Sequence, residues 1–207
     1  MSDKKYKFLS QPRRVVEDRR FVVGKGRYIA DYDHADMAHV ALLPCHLPAA
    51  TIDDIDASAA LAMPGVIDIV TGAELAAAIE PLMNGLDTPN VRRYSLAVGQ
   101  VRYAGEWVCA VIAERRAVAE DAVEKIRLQT TALPFVLNPE QALREDSPPV
   151  HPEHQSNVLL DKQFVWGSVD DDFAKADHQL SFSVVWGRNS TVPIETFGVV
   201  AEWNVWE

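Results

Sequence analysis

An α+β fold is predicted by three features of this chain. The apolar run Trp107 to Ala113 passes directly into an amphipathic helix. In that helix Val118, Ala122, Val123 and Ile126 fall on one stripe while Glu120, Asp121, Glu124 and Lys125 face away, the pattern of a strand followed by a helix that packs back on a sheet. Between Ala38 and Ile79 short apolar runs alternate with capped helical segments. Beyond Pro148-Pro149 the character changes to strands with a period of two, in which Leu180, Phe182, Val184 and Trp186 alternate with Gln179, Ser181 and Ser183.

Taken in order, Ala38 to Leu43 is a short strand, and Thr51 to Asp56, carrying Ile52 and Ile55, reads as a second edge. Asp56 caps a short helix over 57–63, which Pro64-Gly65 stops. Val66 to Val70 is a strand, and Thr71-Gly-Ala-Glu74 has the spacing of a capping box that opens a helix through Ile79. From Glu80 to Leu96 no period is visible, and Pro81, Asn84, Gly85, Pro89 and Asn90 mark a loop. Asn138-Pro-Glu-Gln141 supplies a cap and a first-turn proline for a short helix to Leu143. Ser147-Pro-Pro-Val-His-Pro152 is the domain boundary the sequence marks most clearly, because adjacent prolines exclude helix and central strand. Leu159 to Trp166 and Gln179 to Trp186 then read as strands flanking a helix over 168–176. A last strand alternates Phe197, Val199, Ala201, Trp203 and Val205 with polar positions. Such an aromatic load, with Trp206 beside it, calls for pairing partners elsewhere, or makes this the edge strand of a small domain.

The chain has 207 residues, 48% hydrophobic and 24% charged, which suits a packed core rather than disorder. A net charge of −10 argues against a nucleic-acid groove or an anionic membrane surface. The basic residues near the amino end, among them Arg13, Arg14, Arg19 and Arg20, read as a solvated or subunit-contacting arm. No apolar run approaches the ~20 residues needed to span a bilayer and no leader pattern precedes Tyr6, so a cytoplasmic location is expected.

Several groups of chemistry-bearing residues have simpler structural readings. Cys45 and Cys109 form no Cys-x-x-Cys motif; Cys109 lies in an apolar run, and Cys45 with His46 would point to opposite faces of an extended chain. His151-Pro-Glu-His154 lacks a third metal ligand. Asp170, Asp171 and Asp172 suit the first turn of a helix, and Gly24-x-Gly26 lacks the third glycine of a dinucleotide loop.

Four segments, in order, resemble the molybdenum-binding chain of the xanthine oxidase family. Arg20 to Asp31, with Gly24, Gly26 and Tyr28, is similar to the family's R-x-x-x-G-x-G-x-Y-x-x-D opening. Leu42 to Ile52, then Ile55-Asp-Ala-Ser-Ala-Ala60 and Pro64-Gly-Val66, follow its next element. Val101 to Ile126 resembles its strand-and-helix unit. Gly167 to His178, followed by Arg188-Asn-Ser-Thr-Val-Pro-Ile-Glu195, resembles G-D-x-x-x-A-F-A-x-A-D-H and R-x-x-x-x-P-x-E. The chain departs from the pattern at Leu43-Pro44, where the family writes Arg-Ser, and at Thr130 or Thr131, where it places an aromatic.

The resemblance implies an α/β hammerhead domain over 20–145, an amino-terminal arm over 1–19, a linker over 146–156, and over 157–207 the first strands of an incomplete molybdopterin-binding domain. It implies a molybdenum hydroxylase or dehydrogenase in which this chain is a non-catalytic portion. Its molybdenum–pterin cofactor is held mainly by another chain, the remainder of the large subunit. FAD and [2Fe–2S] lie on flavin and iron–sulfur subunits. The cofactor loops lie downstream of this stretch in the family, and the sequence contains no Gly-Gly pair. No catalytic residue and no metal ligand is therefore expected here. Arg188 and Glu195 alone fall near the site by this resemblance, either lining its approach or forming an internal ion pair where strands cross. The alternative from another class is a stand-alone binding or scaffold protein with the same fold and no redox chemistry.

Overall fold

The computed structural model describes residues 8, 12, 14–82, 91–154, 156–187 and 192–203. Residues 36–179 pack as one unit; the described residues up to Ala35, with those from Leu180 onward, form another. In the smaller unit a short helix, α1 (Asp18–Val22), is followed by a 3-10 turn at Ile29–Asp31. The Asp31 carboxylate accepts from the Tyr28 N–H at 2.9 Å, so the Tyr-x-x-Asp spacing noted in the sequence closes this turn on itself.

Along the larger unit run β1 (His39–Cys45), β2 (Ala50–Asp56), α2 (Ser58–Leu61), β3 (Val66–Thr71) and α3 (Gly72–Ala78). They are followed by β4 (Gln100–Val101), β5 (Glu106–Ala113), α4 (Arg116–Val123), β6 (Arg127–Ala132), α5 (Pro139–Ala142) and α6 (Val169–Lys175). Two three-stranded antiparallel sheets result, with orders β1-β5-β3 and β4-β2-β6.

Strand β5 is central in the first sheet, which is why its sequence is an almost unbroken apolar run. Val108, Cys109, Val111 and Ala113 are all fully buried. Helix α4 lies against β1 and β5 through Ala119 and Ala122, whose small side chains permit close approach and leave no exposure. The helix ends at Val123 rather than Ile126. Residues 124–126 instead form a turn, in which the Ile126 N–H reaches the Val123 carbonyl, and β6 begins at once with Arg127 opposite Asp56. Pro44 stands in edge strand β1, where the pairing register shifts between Leu43 and Pro44. A proline that cannot donate to a ladder is tolerated at such an edge bulge.

Strand β2, expected at an edge, is the middle strand of the second sheet. Its partners escaped the periodicity because β4 has only two residues and β6, Arg-Leu-Gln-Thr-Thr-Ala, is mostly polar. The caps are local and form as read. Thr71 Oγ1 accepts from Glu74 N–H at 3.3 Å while the Glu74 carboxylate accepts from Thr71 N–H at 2.8 Å. Asn138 Oδ1 accepts from Glu140 and Gln141 N–H at 2.8 and 3.2 Å. Asp56 acts one residue ahead of the cap position, accepting from Ser58 N–H and Oγ at 3.1 and 2.6 Å.

The proline-rich boundary interrupts regular structure but does not run free. Asn157 ties it down: its Oδ1 accepts from Val150 N–H at 2.9 Å and its Nδ2 donates to the carbonyls of Ala142 and Pro148 at 3.1 Å each. The helix expected over 168–176 is α6. The strands expected over 159–166, 179–186 and 197–205 have no ladder partner among the described residues, and Leu180, Phe182, Val184 and Trp186 are exposed. Alternation marks a chain able to pair; pairing itself needs a neighbouring strand.

Candidate functional site

The polar cluster with the most constrained geometry lies in the larger unit, at the turn between β4 and β5. Val101 is fully buried in β4 and fixes the chain just before Arg102. Gly105 follows with a φ of +91°, a left-handed conformation that glycine adopts freely, and its N–H meets the Cys45 carbonyl at 2.6 Å. This turn aims Glu106 back at Arg102: the Arg102 N–H donates to Glu106 Oε2 at 2.5 Å. Arg102 Nη1 donates to the Gln100 carbonyl at 3.3 Å.

From the far side the 150–154 turn presents His151 and Glu153. Arg102 Nη2 and His151 Nδ1 approach the same atom, Glu153 Oε1, at 3.9 and 3.6 Å. Among the described residues Arg102 Nε and His151 Nδ1 are buried with no hydrogen-bond partner within 3.5 Å. Burial holds the His151 imidazole below its ordinary pKa, and the neighbouring Arg102 charge pushes the same way against the pull of Glu153. Burial also pushes the Glu106 carboxyl up, outweighing donation from Arg102. For Glu153 the balance is reversed: burial raises its carboxyl, but its own backbone hydrogen bond and the Arg102 and His151 charges together bring it below the usual range.

The residues singled out in the sequence are dispersed. Cys45 is buried in β1 while His46 is exposed, so the two do not form a nucleophile–base pair. Cys109 is buried in β5, and burial pushes its thiol up to about 11. His154 Nε2 lies 3.4 Å from the Val158 carbonyl, whereas His151 faces Arg102 and Glu153. Asp170, Asp171 and Asp172 occupy the first turn of α6, exposed. Gly24 has a φ of +70°, and its N–H bonds to the Phe21 carbonyl at the end of α1, which makes it a turn glycine.

Arg188 lies outside the described residues. Glu195 Oε1 accepts from the Ile29 N–H at 2.7 Å within the smaller unit. It thereby joins the Pro-x-Glu element to the Tyr28–Asp31 turn, two motifs 166 positions apart. Sequence reasoning missed the Arg102–Glu106–His151–Glu153 cluster. Arg102 and Glu106 stand in the Arg-Tyr-Ala-Gly-Glu stretch, but nothing local joins that stretch to His151-Pro-Glu153.

Among the described residues no group of three or more His, Cys, Asp or Glu side chains is placed to hold a metal ion. Both thiols are buried, and the chain has no Gly-Gly pair. No helix of the described residues is long and apolar enough to cross a membrane.

Comparison with known proteins places these observations in a family. Residues 23–134 match the family described as aldehyde oxidase and xanthine dehydrogenase, a/b hammerhead domain. The nicotine 6-hydroxylase large subunit of Paenarthrobacter nicotinovorans is 34% identical over 192 residues, covering 91% of this chain and 23% of that protein. Among solved structures, the aldehyde oxidoreductase from Desulfovibrio gigas aligns with a TM-score of 0.67 and 28% identity over 78% of this chain and 19% of that one. The Cu,Mo-CO dehydrogenase aligns with a TM-score of 0.60 and 30% identity over 68% of this chain and 18% of that one. The chain spans about a quarter of the length of the curated relatives it matches.

Proposed function

This chain belongs to the aldehyde oxidase and xanthine dehydrogenase a/b hammerhead family, and from that premise we propose that it is the amino-terminal, non-catalytic portion of a molybdenum hydroxylase large subunit. In this reading residues 20–145 are the hammerhead and 146–156 the linker. Residues 157–207 are the opening strands of a molybdopterin-binding domain that further polypeptide completes. The assembled enzyme hydroxylates or oxidises a small molecule, with [2Fe–2S] and flavin subunits as further partners, in the cytoplasm. The role of this chain is architectural: it shapes the approach to a cofactor held elsewhere, and none of its residues takes a chemical step.

One observation carries the reading. Phe164, Trp166, Leu180, Phe182, Trp186, Phe197 and Trp203 are all largely exposed, on segments whose alternation is that of sheet strands. Apolar surface on this scale marks an interface to be covered. Glu195 accepts from the Ile29 N–H and so links one of these segments to the family's opening motif.

Native purification on a tag carried by this chain, followed by mass and metal analysis, tests the proposal. The expected result is a larger chain with molybdenum, iron and flavin. A metal-free, well-folded monomer would overturn it and favour a stand-alone scaffold protein.

A further inference from the structure

In the smaller unit two distant stretches of sequence meet at Ile29. Ile29 opens the 3-10 turn, so its N–H has no partner within that turn. The Glu195 carboxylate supplies one, accepting at 2.7 Å. Three residues on, Gly198 passes close to the same side chain. A Cβ at Gly198 would stand 2.7 Å from Ile29 Cγ2 and 3.2 Å from Cγ1, on a branched side chain with no flexible end to yield. The turn is braced from its amino side as well. Asp31 closes it on the Tyr28 N–H, and Phe21 lies so near Gly26 that a Cβ there would stand 2.7 Å from the ring. The Phe21 and Tyr28 ring centroids are 6.3 Å apart.

Bond and close approach together admit one alignment. Gly198 is the only glycine between residues 192 and 203. A shift of one residue in an extended segment turns every side chain to the opposite face. Here it would bring Phe197 or Val199 against Ile29, where no Cβ fits, and carry Glu195 away from the Ile29 N–H. In the observed alignment Phe197, Val199 and Trp203 are 78%, 79% and 88% exposed, whereas Val200, which shares the face of Gly198, is 41% exposed.

We propose that the Tyr28–Asp31 turn is a register key for residues 194–203. Glu195 and Gly198 are positioning residues that lock on Ile29, so that Phe197, Val199 and Trp203 are presented as one apolar face to the polypeptide that completes the sheet. The occupant of that face rests on the subunit reading, in which the chain spans about a quarter of the length of its relatives. The lock itself does not depend on that reading.

Hydrogen exchange on the full chain, with whatever co-purifies, reads the Ile29 amide by mass spectrometry of peptides spanning residues 26–32. Glu195→Ala and Gly198→Ala are each expected to speed its exchange about fivefold or more. Glu195→Gln keeps an accepting oxygen and is expected to exchange at the parent rate. Ile29→Ala removes both crowding carbons and leaves Cβ at an ordinary 3.5 Å. Gly198→Ala combined with Ile29→Ala is therefore expected to exchange no faster than Ile29→Ala alone, whereas a general loss of packing makes the two substitutions add. Protection of Cys109 from iodoacetamide checks that the larger unit is intact in each variant. Unchanged exchange in either Glu195→Ala or Gly198→Ala, or a double variant as fast as Gly198→Ala, overturns the lock. Where Gly198→Ala does not fold, Glu195→Ala and Glu195→Gln decide, and equal exchange in the two overturns it. Co-purification reads the presented face: Gly198→Ala is expected to recover several-fold less of the larger chain than the parent, and the double variant to restore it. Equal recovery by parent and Gly198→Ala overturns the presentation. A parent chain that recovers no partner overturns the subunit reading and the presented face with it, while exchange still decides the lock.

Discussion

Cys109 shows how one residue's environment sets its chemistry. The side chain is fully enclosed in β5, and burial pushes its thiol up to about 11. At about pH 8 an ordinary cysteine is already partly thiolate, the reactive form. Iodoacetamide is therefore expected to leave Cys109 unlabelled in the native protein and to modify it fully in urea, as read by peptide mass mapping. His151 carries a second prediction. Its folded pKa is lowered, by burial first and the Arg102 charge second, so the unfolded chain binds more protons as the pH falls. Stability present at neutrality is then lost as pH drops from about 6.5 toward the folded value. Asp53, Asp56 and Glu74, lowered by hydrogen bonds, and Glu153, also lowered, act mainly below about pH 5, and Glu106, raised by burial, acts with the opposite sign. Comparing His151→Gln with the parent isolates the imidazole, with Arg102, Glu153 and His154 as its charged neighbours. The variant's Tm is expected to fall less than the parent's between about pH 7 and pH 5. This cluster was illegible in the sequence because its two halves, Arg102–Glu106 and His151–Glu153, meet only through tertiary structure.

The junction of β3 and α3 concentrates two effects at adjacent positions. Thr71 closes a capping box with Glu74, and its replacement by alanine is expected to cost about 1 kcal/mol. Gly72 is needed for a different reason. A Cβ there would stand 1.9 Å from the Ala97 carbonyl oxygen, in backbone that has no flexible end to yield. Gly72→Ala is accordingly expected to cost about 3 kcal/mol or more, against the ordinary 1–3 kcal/mol of overpacking, and urea unfolding of the two variants should rank Gly72→Ala well below Thr71→Ala. At this scale the sequence was most legible where structure is local: the Thr71-x-x-Glu74 box, the Asn138-Pro139 start and the α4 stripe all form. It was least legible where an element is defined by its partner. The two residues of β4 and the polar run of β6 have no period of their own, and β2 is central only because they flank it. Asn157 belongs to the same class. Its three bonds hold the proline-rich segment, and Asn157→Ala is expected to cost about 1–3 kcal/mol by leaving backbone groups unpaired. Faster proteolysis within residues 146–156 would accompany the loss.

For the whole molecule the dominant imbalance is between a small, well-formed core and a large apolar surface. The core is built of short side chains, with Val101, Val108, Val111 and Cys109 the largest that are fully buried. The large aromatic residues are elsewhere: Trp166, Trp186 and Trp203 are 78%, 81% and 88% exposed. Aromatic side chains contribute most when buried. Tryptophan fluorescence reads this directly, because the exposed indoles outnumber half-buried Trp107 among the described residues. The chain alone is expected to emit as solvent-exposed indole and to be readily quenched by acrylamide. Association with the remainder of a large subunit should shift the emission to the blue and protect it. Protected, blue-shifted emission from the monomeric chain alone would mean that it covers these residues itself, and the subunit reading would lose the observation that carries it.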